Sequence, residues 1–295
     1  MDNLKRKSMN VAYCSNRNYL PFTIISMYSL LSVGRDDRSL KIFLAADQDI
    51  TDEDLQPFYL MISKFPGCTF EVRWPANLTT RHFPRGEDCS ISEEGIQPAY
   101  YRLLLPELLA DEERCLYLDG DLVVTRSLTN LYDTPMEGMY LAGITDRLCL
   151  EEAQNERMLK DWGIEPGYYI NAGVLLMDLG KMRSSGKYME ALELAYRKPF
   201  RYLDQDVVNQ VYLGKIKLLP KVYQLFPDDC YDDMAFLRDL LPEKAELFPD
   251  SALDHPATIH YIGRIKPWMR RGVPYENAWH EAEKAYAESL NFQNS

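Results

Sequence analysis

The chain has 295 residues, of which 46% are hydrophobic, 12% aromatic and 26% charged. This composition provides enough apolar material for a sizeable core and excludes a disordered, collagen-like or low-complexity protein. The 33 basic and 45 acidic residues give a formal net charge of −12. Because so acidic a surface repels phosphate backbones, we expect no nucleic-acid partner.

Strand-like apolar runs alternate with helical patterns through the first two-thirds of the chain. In chain order the predicted elements are a strand at Met9–Cys14, a helix at Tyr19–Ser32, a strand at Leu40–Ala45, a helix at Thr51–Phe65, a strand at Thr69–Trp74, a helix at Gln97–Leu109, strands at Cys115–Val124, Tyr140–Thr145 and Tyr169–Met177, and a helix at about Asp204–Tyr212. This alternation predicts a mostly parallel sheet with helices on both faces, in which ligands bind at the carboxyl ends of the strands.

The cellular compartment is inferred from cysteines and apolar stretches. Six cysteines are scattered without a Cys-x-x-Cys pair, which fits a reducing compartment. Lys5, Arg6 and Lys7 resemble the basic start of a signal peptide, but polar residues interrupt any apolar core behind them. The longest apolar stretch, residues 20–33, is shorter than the roughly 20 residues that span a bilayer. We therefore expect a cytoplasmic protein.

Residues 228–255 differ from the rest of the chain, because nine acidic residues stand there against only Arg238 and Lys244. Two interpretations remain open. The segment is either a solvated, partly mobile insertion or a lid or acceptor-binding element.

Paired aspartates are the main chemical signal, since two adjacent carboxylates suit Mg²⁺ or Mn²⁺. Four Asp-x-Asp pairs occur, namely Asp47/Asp49, Asp52/Asp54, Asp119/Asp121 and Asp204/Asp206. The second and fourth pairs start predicted helices, where capping is the simpler explanation. The first pair leads into the turn before a helix. Asp119 and Asp121 alone have apolar residues on both sides, where two charges are costly to bury without a cation. This pair therefore predicts a metal site.

One enzyme class that fits this pair is the phosphatases of the haloacid-dehalogenase type. Their apolar strand followed by Asp-x-Asp-x-Val/Thr is similar to residues 119–123. Asp119 would then be the phosphorylated nucleophile and Asp121 the acid/base, with Mg²⁺ alongside. However, that motif usually lies near the start of such chains, whereas 118 residues precede it here.

A larger set of segments resembles glycosyltransferase family 8, whose members are retaining transferases that use a nucleotide sugar. These segments are VAYCSNRNYLPFTIISMYSLL, AYYRLLLPELL, YLDGDLVV, YYINAGVLLMDL, LDQDVVNQVY and HYIGRIKPW, in the family's order and between about residues 9 and 268. The resemblance implies a GT-A fold, a Rossmann-like mixed, mostly parallel sheet flanked by helices, with a small C-terminal helical, acceptor-side region. It also implies a nucleotide-sugar-binding core at 1–225, the acidic insertion or lid at 226–256, and a segment at 257–295 that completes the metal and diphosphate site.

The resemblance further implies roles for individual residues. In that family two aspartates and a late histidine bind Mn²⁺ (or Mg²⁺), which correspond to Asp119, Asp121 and His260. The other implied roles are diphosphate binding by Gly263 and Lys266, donor-sugar binding by Arg102, Asp204, Asn171 and Ala172, an acceptor-side position at Asp146, and Gln205 beneath the reactive carbon of the sugar.

The nucleotide motif departs from the family pattern. The family commonly has Ala-Asp-Asp-Asn-Tyr, whose first aspartate accepts the uracil N3–H, whereas this chain has Asn16 there. An asparagine accepts through its carbonyl oxygen but also donates. Asn18 and Tyr19 are retained, the latter as a stacking ring, and we expect uridine diphosphate to bind.

The implied function is a metal-dependent retaining transfer of galactose or glucose from a UDP-sugar to a glycan or lipid-linked acceptor. Because the amide of Gln205 is a poor nucleophile, we hypothesise a same-face displacement in which the departing phosphate takes the acceptor's proton. A nucleotide-sugar-binding subunit without catalysis is the non-enzymatic alternative. The basic segment 264–271 allows peripheral contact with an anionic membrane, which would put the protein at the inner membrane surface.

Overall fold

The computed structural model describes residues 8–75, 82–84, 93–147 and 153–291. Lys5, Arg6 and Lys7 and most of the polar loop expected between Trp74 and Gly95 lie outside these residues. No helix in the described ranges is both long and apolar enough to cross a bilayer.

Every strand and helix predicted from the sequence is present. The strands are β1 Met9–Ser15, β2 Leu40–Ala46, β3 Thr69–Arg73, β4 Arg114–Leu118, β5 Leu122–Val124, β6 Leu141–Thr145, β7 Ile170–Asp178, β8 Ile216–Leu218 and β9 Thr258–His260. The α-helices are α1 Leu20–Val33, α2 Asp52–Ile62, α3 Glu93–Tyr100, α4 Leu105–Leu108, α5 Thr129–Tyr132, α6 Ala153–Asp161, α7 Leu179–Ser185, α8 Lys187–Arg197, α9 Asp204–Val211, α10 Tyr231–Leu240, α11 Ser251–Asp254 and α12 Glu276–Asn291.

Two predicted elements are divided in the structure. The run Cys115–Val124 forms β4 and β5 with a turn between them, because its two aspartates leave the sheet. The predicted helix at Gln97–Leu109 consists of α3, a 3₁₀ turn at Tyr101–Leu104, and α4.

The main sheet has seven strands in the order β3-β2-β1-β4-β7-β6-β8. All of its pairings are parallel except those of β7, which runs antiparallel to both β4 and β6. A separate two-stranded sheet joins β5 to β9 in antiparallel register. The expected mixed, mostly parallel sheet is confirmed.

Apolar side chains fill both faces of this sheet. Along β1, Val11 and Tyr13 belong to one buried cluster, while Ala12 and Cys14 belong to the other. Successive strand residues point to opposite faces, so a strand buried on both sides is apolar throughout. The predicted covering of both faces by helices follows from this pattern.

The acidic segment at 228–255 is folded against the sheet. It contains α10, a 3₁₀ turn at Pro242–Leu247, and α11. Met234, Leu237 and Phe248 are buried in one of the two sheet-face clusters. The solvated interpretation therefore holds only for the acidic outer side of this segment. A role as a lid or acceptor-binding element, and the division of the chain at 225 and 256, stay predictions.

One acidic side chain of this segment points inward. The Nζ of Lys221 lies 2.9 Å from Oδ2 of Asp229, and both side chains are essentially inaccessible. The same Oδ2 accepts the backbone N–H of Phe226 over 2.8 Å, and the ammonium lies 3.9 Å from the centre of that ring. Burying this pair costs hydration, so removing either partner would leave an uncompensated charge in the interior.

We expect Asp229→Ala to lower the free energy of unfolding by about 3 kcal/mol, because Lys221 loses its buried counter-ion. Urea denaturation measures the change. The matched control is Asp250→Ala, which removes the carboxylate from a half-exposed pair with Arg238. That control should change stability by less than about 1 kcal/mol. Equal losses in the two variants would contradict a stabilising role for the buried pair.

Candidate active site

The turn between β4 and β5 carries Asp119 and Asp121 at the carboxyl end of a sheet strand. β5 pairs with β9 in a register that sets Leu122 opposite His260. The N–H of Tyr261 also donates to the backbone carbonyl of Asp121 over 3.0 Å. Main-chain pairing therefore brings an imidazole from late in the chain to two mid-chain carboxylates.

The three side chains expected to bind metal meet at this point. The Nε2 of His260 lies 3.0 Å from Oδ1 of Asp121 and 3.4 Å from Oδ2 of Asp119. One ligand atom from each residue lies within 4.8 Å of the other two. Two carboxylates and one imidazole suit Mn²⁺ or Mg²⁺ and leave positions for phosphate oxygens and water. The donor set and its spacing therefore fit a divalent cation.

Gly173 of β7 leaves room for the imidazole. A Cβ placed on this residue would lie 2.6 Å from Nδ1 of His260 and 2.8 Å from Oδ2 of Asp119. Real Cβ atoms essentially never approach other atoms so closely. A glycine inside a strand often marks such a close approach, and any larger residue here would displace a predicted ligand.

Positive charge lies directly beside the acidic groups. The Nζ of Lys266 lies 2.6 Å from Oδ2 of Asp121, and the hydroxyl of Tyr19 donates to the same oxygen over 3.0 Å. Burial acts to raise the pKa of Asp121, but Lys266 and His260 together hold that pKa well below its usual value. Asp121 is therefore an ionised group.

Arg102 connects this cluster to the predicted sugar-binding residues. Its guanidinium lies 3.1 Å from Asp119 and 2.7 Å from Asp204. It also lies 4.4 Å from the ring centre of Tyr117 and donates to the carbonyl of Ala172. Burial raises the pKa of Asp204 to about 7, against the opposing charge of Arg102. One arginine therefore holds two acidic groups together.

Gln205 and Asp146 contact the first residues of β7. The Oε1 of Gln205 accepts the Ala172 N–H over 3.0 Å, and its Nε2 donates to Oδ2 of Asp146 over 3.3 Å. Asn171 donates to the same Asp146 oxygen over 2.7 Å. Leu203, which precedes α9, has a φ of 51°, a value that side chains with a Cβ rarely adopt. This backbone turn starts the helix that carries Gln205.

The residues expected at the nucleotide differ in exposure, since Asn16 is buried, Tyr19 is half-buried and Asn18 is exposed. Oδ1 of Asn16 accepts the N–H of Tyr19 over 2.9 Å, so its side chain caps a short 3₁₀ turn. The Tyr19 ring lies edge-on to Trp268, with ring centres 6.3 Å apart. Asn18 is exposed, and Gly263 is an exposed glycine with a φ of 80°. Their roles toward a nucleotide stay predictions.

Tyr117 and Gln224 belong to this network but were missed from the sequence. The hydroxyl of Tyr117 donates to Oδ1 of Asp119 over 2.6 Å, and burial raises the pKa of Tyr117 well above its usual value, so the donor keeps its proton. Nε2 of Gln224 lies 2.8 Å from Nδ1 of His260 and 2.7 Å from Oδ1 of Asn171. The two-residue spacing of Tyr117 from Asp119 was a usable signal. Gln224 lies in no periodic pattern.

The other Asp-x-Asp pairs have structural partners. Asp54 accepts the N–H of Thr51 over 2.8 Å at the start of α2, which confirms the capping interpretation. Asp47 accepts the Tyr101 hydroxyl over 2.7 Å. In the last pair, Asp206 accepts the N–H of Tyr202 over 2.8 Å just before α9, whereas Asp204 faces Arg102.

Known proteins resemble this chain over nearly its whole length. The family model described as "Glycosyl transferase family 8" matches residues 10–272. A "Putative glycosyltransferase" of Haemophilus influenzae is 26% identical over 90% of this chain and 74% of its own length. A "Lipopolysaccharide 1,2-glucosyltransferase" of Escherichia coli is 24% identical over the same shares.

Solved structures share the fold. The galactosyltransferase LgtC, solved with donor and acceptor sugar analogues, superposes with a TM-score of 0.73 at 24% identity, covering 94% of this chain and 96% of LgtC. The bifunctional glycosyltransferase WbbM gives a TM-score of 0.77 at 19% identity over 96% of this chain, which spans 50% of WbbM. With the family match across residues 10–272, these findings confirm the resemblance seen in the sequence: the chain belongs to glycosyltransferase family 8 and has the GT-A fold.

Proposed function

We propose that this protein is a metal-dependent retaining glycosyltransferase that moves galactose or glucose from a UDP-sugar to a glycan or lipid-linked acceptor. The observation that carries the proposal is the meeting of Asp119, Asp121 and His260 within 4.8 Å. Arg102 links that cluster to the predicted sugar-binding group Asp204. The substrate classes are supported by a relative named as a lipopolysaccharide glucosyltransferase and by LgtC, solved with donor and acceptor sugar analogues.

The donor's diphosphate would bind on the cation side of the site. Asp119, Asp121 and His260 would hold Mn²⁺ (or Mg²⁺), which supplies positive charge that stabilises a departing diphosphate. Lys266 would add a second positive charge, since its ammonium already lies among these groups. The exposed left-handed turn at Gly263 would let a backbone N–H approach a phosphate oxygen.

The proposed displacement takes place on one face of the sugar. The bond from the anomeric carbon to the diphosphate oxygen breaks, and a bond from the acceptor oxygen forms on the same face. The acceptor's proton passes to the departing phosphate oxygen, which completes the balance. Gln205 is held by the Ala172 N–H and by Asp146, so its amide oxygen would stabilise the cationic sugar without bonding to it.

A phosphatase was the competing enzyme class, and membership of family 8 favours the transferase. The contacts of Asp119 agree with this choice. Its Oδ1 accepts from Tyr117 and lies near Arg102, while its Oδ2 faces His260. Such surroundings suit a metal ligand better than a nucleophile that must reach an incoming phosphate.

A membrane surface is a further proposed partner. Ile265 and Met269 expose 51% and 66% of their surface beside the exposed arginines of the basic segment 264–271. Trp268 faces inward and stacks on Phe22 with ring centres 4.1 Å apart, so it is not part of this surface. Exposed apolar and basic side chains together suit an anionic bilayer. This contact would keep the protein at the cytoplasmic surface of a membrane.

The proposed activity is tested by incubating the protein with UDP-glucose, with UDP-galactose and with a phosphate monoester, each with and without Mn²⁺. We expect one of the sugar nucleotides to be hydrolysed only with Mn²⁺ and the monoester to stay intact. Asp119→Asn removes a charged ligand, so turnover should fall by more than about 100-fold. Asp52→Asn, at the exposed start of α2, is the matched control and should keep wild-type turnover.

Each alternative has its own outcome in this assay. Turnover of the monoester would support the phosphatase. No turnover of any substrate, with nucleotide binding retained, would support a binding subunit. Rapid trapping of a covalent sugar adduct on Gln205 or Asp204 would contradict the same-face displacement.

Nucleotide preference is tested by thermal protection. In the presence of Mn²⁺, uridine diphosphate should raise the melting temperature more than cytidine or guanosine diphosphate. Asn16→Asp should widen the difference between uracil and cytosine, because a carboxylate accepts the uracil N3–H but cannot donate to cytosine N3. Equal protection by all three nucleotides would show that the base assignment is wrong.

Membrane contact is tested by sedimentation with vesicles of phosphatidylserine and phosphatidylcholine. The protein should bind the mixed vesicles, and the double variant Ile265→Ser/Met269→Ser should bind several-fold more weakly because it loses apolar contact. Met189→Ser, which alters a comparably exposed side chain on α8, should bind as the wild type does. Equal binding to pure phosphatidylcholine would contradict the role of the arginines.

A further inference from the structure

Each aspartate of the candidate cation site has one oxygen near the imidazole and the other oxygen bonded to a tyrosine. Oδ2 of Asp119 and Oδ1 of Asp121 lie 3.4 and 3.0 Å from Nε2 of His260. The other oxygen of Asp119, Oδ1, accepts the Tyr117 hydroxyl over 2.6 Å. The other oxygen of Asp121, Oδ2, accepts the Tyr19 hydroxyl over 3.0 Å. The inner oxygens therefore converge on the imidazole, while the outer oxygens are taken up by phenol donors.

Tyr117 has a fixed position beside Asp119. It belongs to β4 in the middle of the sheet, where its backbone lies opposite Ala12 of β1 and Leu175 of β7. Because successive strand residues point to opposite faces, the side chains at positions 117 and 119 share a face. The tyrosine is only 1% exposed, so its hydroxyl cannot turn to solvent and its direction is set by the strand.

Asp119 is the member of the cation site that most needs such a partner. Its side chain is 23% exposed, against 13% for Asp121 and 4% for His260. An aspartate side chain that reaches solvent moves among its rotamers unless contacts hold it. Carboxylates that bind metal ions are commonly oriented by hydrogen bonds from neighbouring residues, which keep the binding oxygen in place.

Arg102 alone does not fix the direction of Asp119. Its guanidinium lies 3.1 Å from Oδ1 of Asp119 but closer to Asp204, at 2.7 Å, and it also donates to the Ala172 carbonyl. The guanidinium carbon lies 4.4 Å from the centre of the Tyr117 ring, a cation–π contact. The ring therefore supports the arginine, while the hydroxyl holds the carboxylate without adding a charge that would repel a divalent cation.

We infer that Tyr117 is a positioning residue whose hydroxyl holds Oδ1 of Asp119, so that Oδ2 is the oxygen presented to a divalent cation. This inference rests on the proposed metal-dependent function. A phenylalanine at this position keeps the ring beside Arg102 and loses only the hydroxyl, so the two parts of the side chain can be tested separately.

The first test measures affinity for Mn²⁺ without nucleotide, by the paramagnetic resonance of free Mn²⁺. In Tyr117→Phe the carboxylate of Asp119 loses its phenol donor, so the dissociation constant should rise about 10-fold. The matched control is Tyr132→Phe. Tyr132 is also buried, but its hydroxyl accepts the Asn10 N–H over 3.2 Å near the amino end of β1. The control should bind Mn²⁺ as the wild type does.

The outcomes separate this inference from the proposed function. A wild-type protein that does not bind Mn²⁺ overturns both. Wild-type binding with unchanged affinity in Tyr117→Phe, or with equal losses in Tyr117→Phe and Tyr132→Phe, overturns the inference alone. Melting temperatures show whether each variant is folded.

A second measurement needs no substitution. In crystals of the wild-type protein grown with Mn²⁺, the anomalous signal of manganese locates the cation. We expect Oδ2 of Asp119 to bind it and Oδ1 to stay within hydrogen-bond distance of the Tyr117 hydroxyl. A cation bound to Oδ1, or a hydroxyl turned away from Asp119, would overturn the inference even if the variant does not fold. Manganese absent from Asp119, Asp121 and His260 would overturn the proposed function as well.

Discussion

The repulsion among three neighbouring carboxylates is the constraint around which the site is organised. Asp121 and Asp204 are buried and Asp119 is partly exposed, and negative charges packed so closely are tolerated only with cations between them. Arg102 contacts two of them from a turn between helices, and Lys266 contacts the third from beyond β9. Elements far apart in the sequence thus meet at this end of the sheet, where their cations offset its negative charge.

Much of the sheet could be predicted from the sequence, because strands buried on both faces are continuous apolar runs. The antiparallel direction of β7 could not be predicted, since an apolar run such as 170–178 gives no sign of the direction in which it pairs. The acidic character of the segment 228–255 was evident from the sequence, whereas its packing against the sheet was not. Its carboxylates dominate the composition, whereas the apolar side that packs on the sheet rests on a few residues such as Met234, Leu237 and Phe248, too few to outweigh the charges.

Some residues of the candidate site could be predicted from the local sequence, and others could not. Asp119 and Asp121 stand out because charges interrupt an apolar run. His260 came only from resemblance to a family, since a single histidine forms no pattern and its position depends on how β9 pairs. Gln224 and the strained turn at Leu203 gave no signal, because both are set by tertiary contacts rather than by local sequence.

The pairing of β5 with β9 has a consequence for the way the molecule is made. Asp121 and His260 are 139 residues apart in the chain, and closing so long a loop carries an entropic cost that local contacts do not repay. A ribosome releases the aspartates well before the histidine, and domains form as their residues emerge. The nascent polypeptide therefore holds its acidic pair without the imidazole or Lys266 until residues 260–266 have been translated. Assembly of the site accordingly waits for β9, and a product cut short before β9 would lack it.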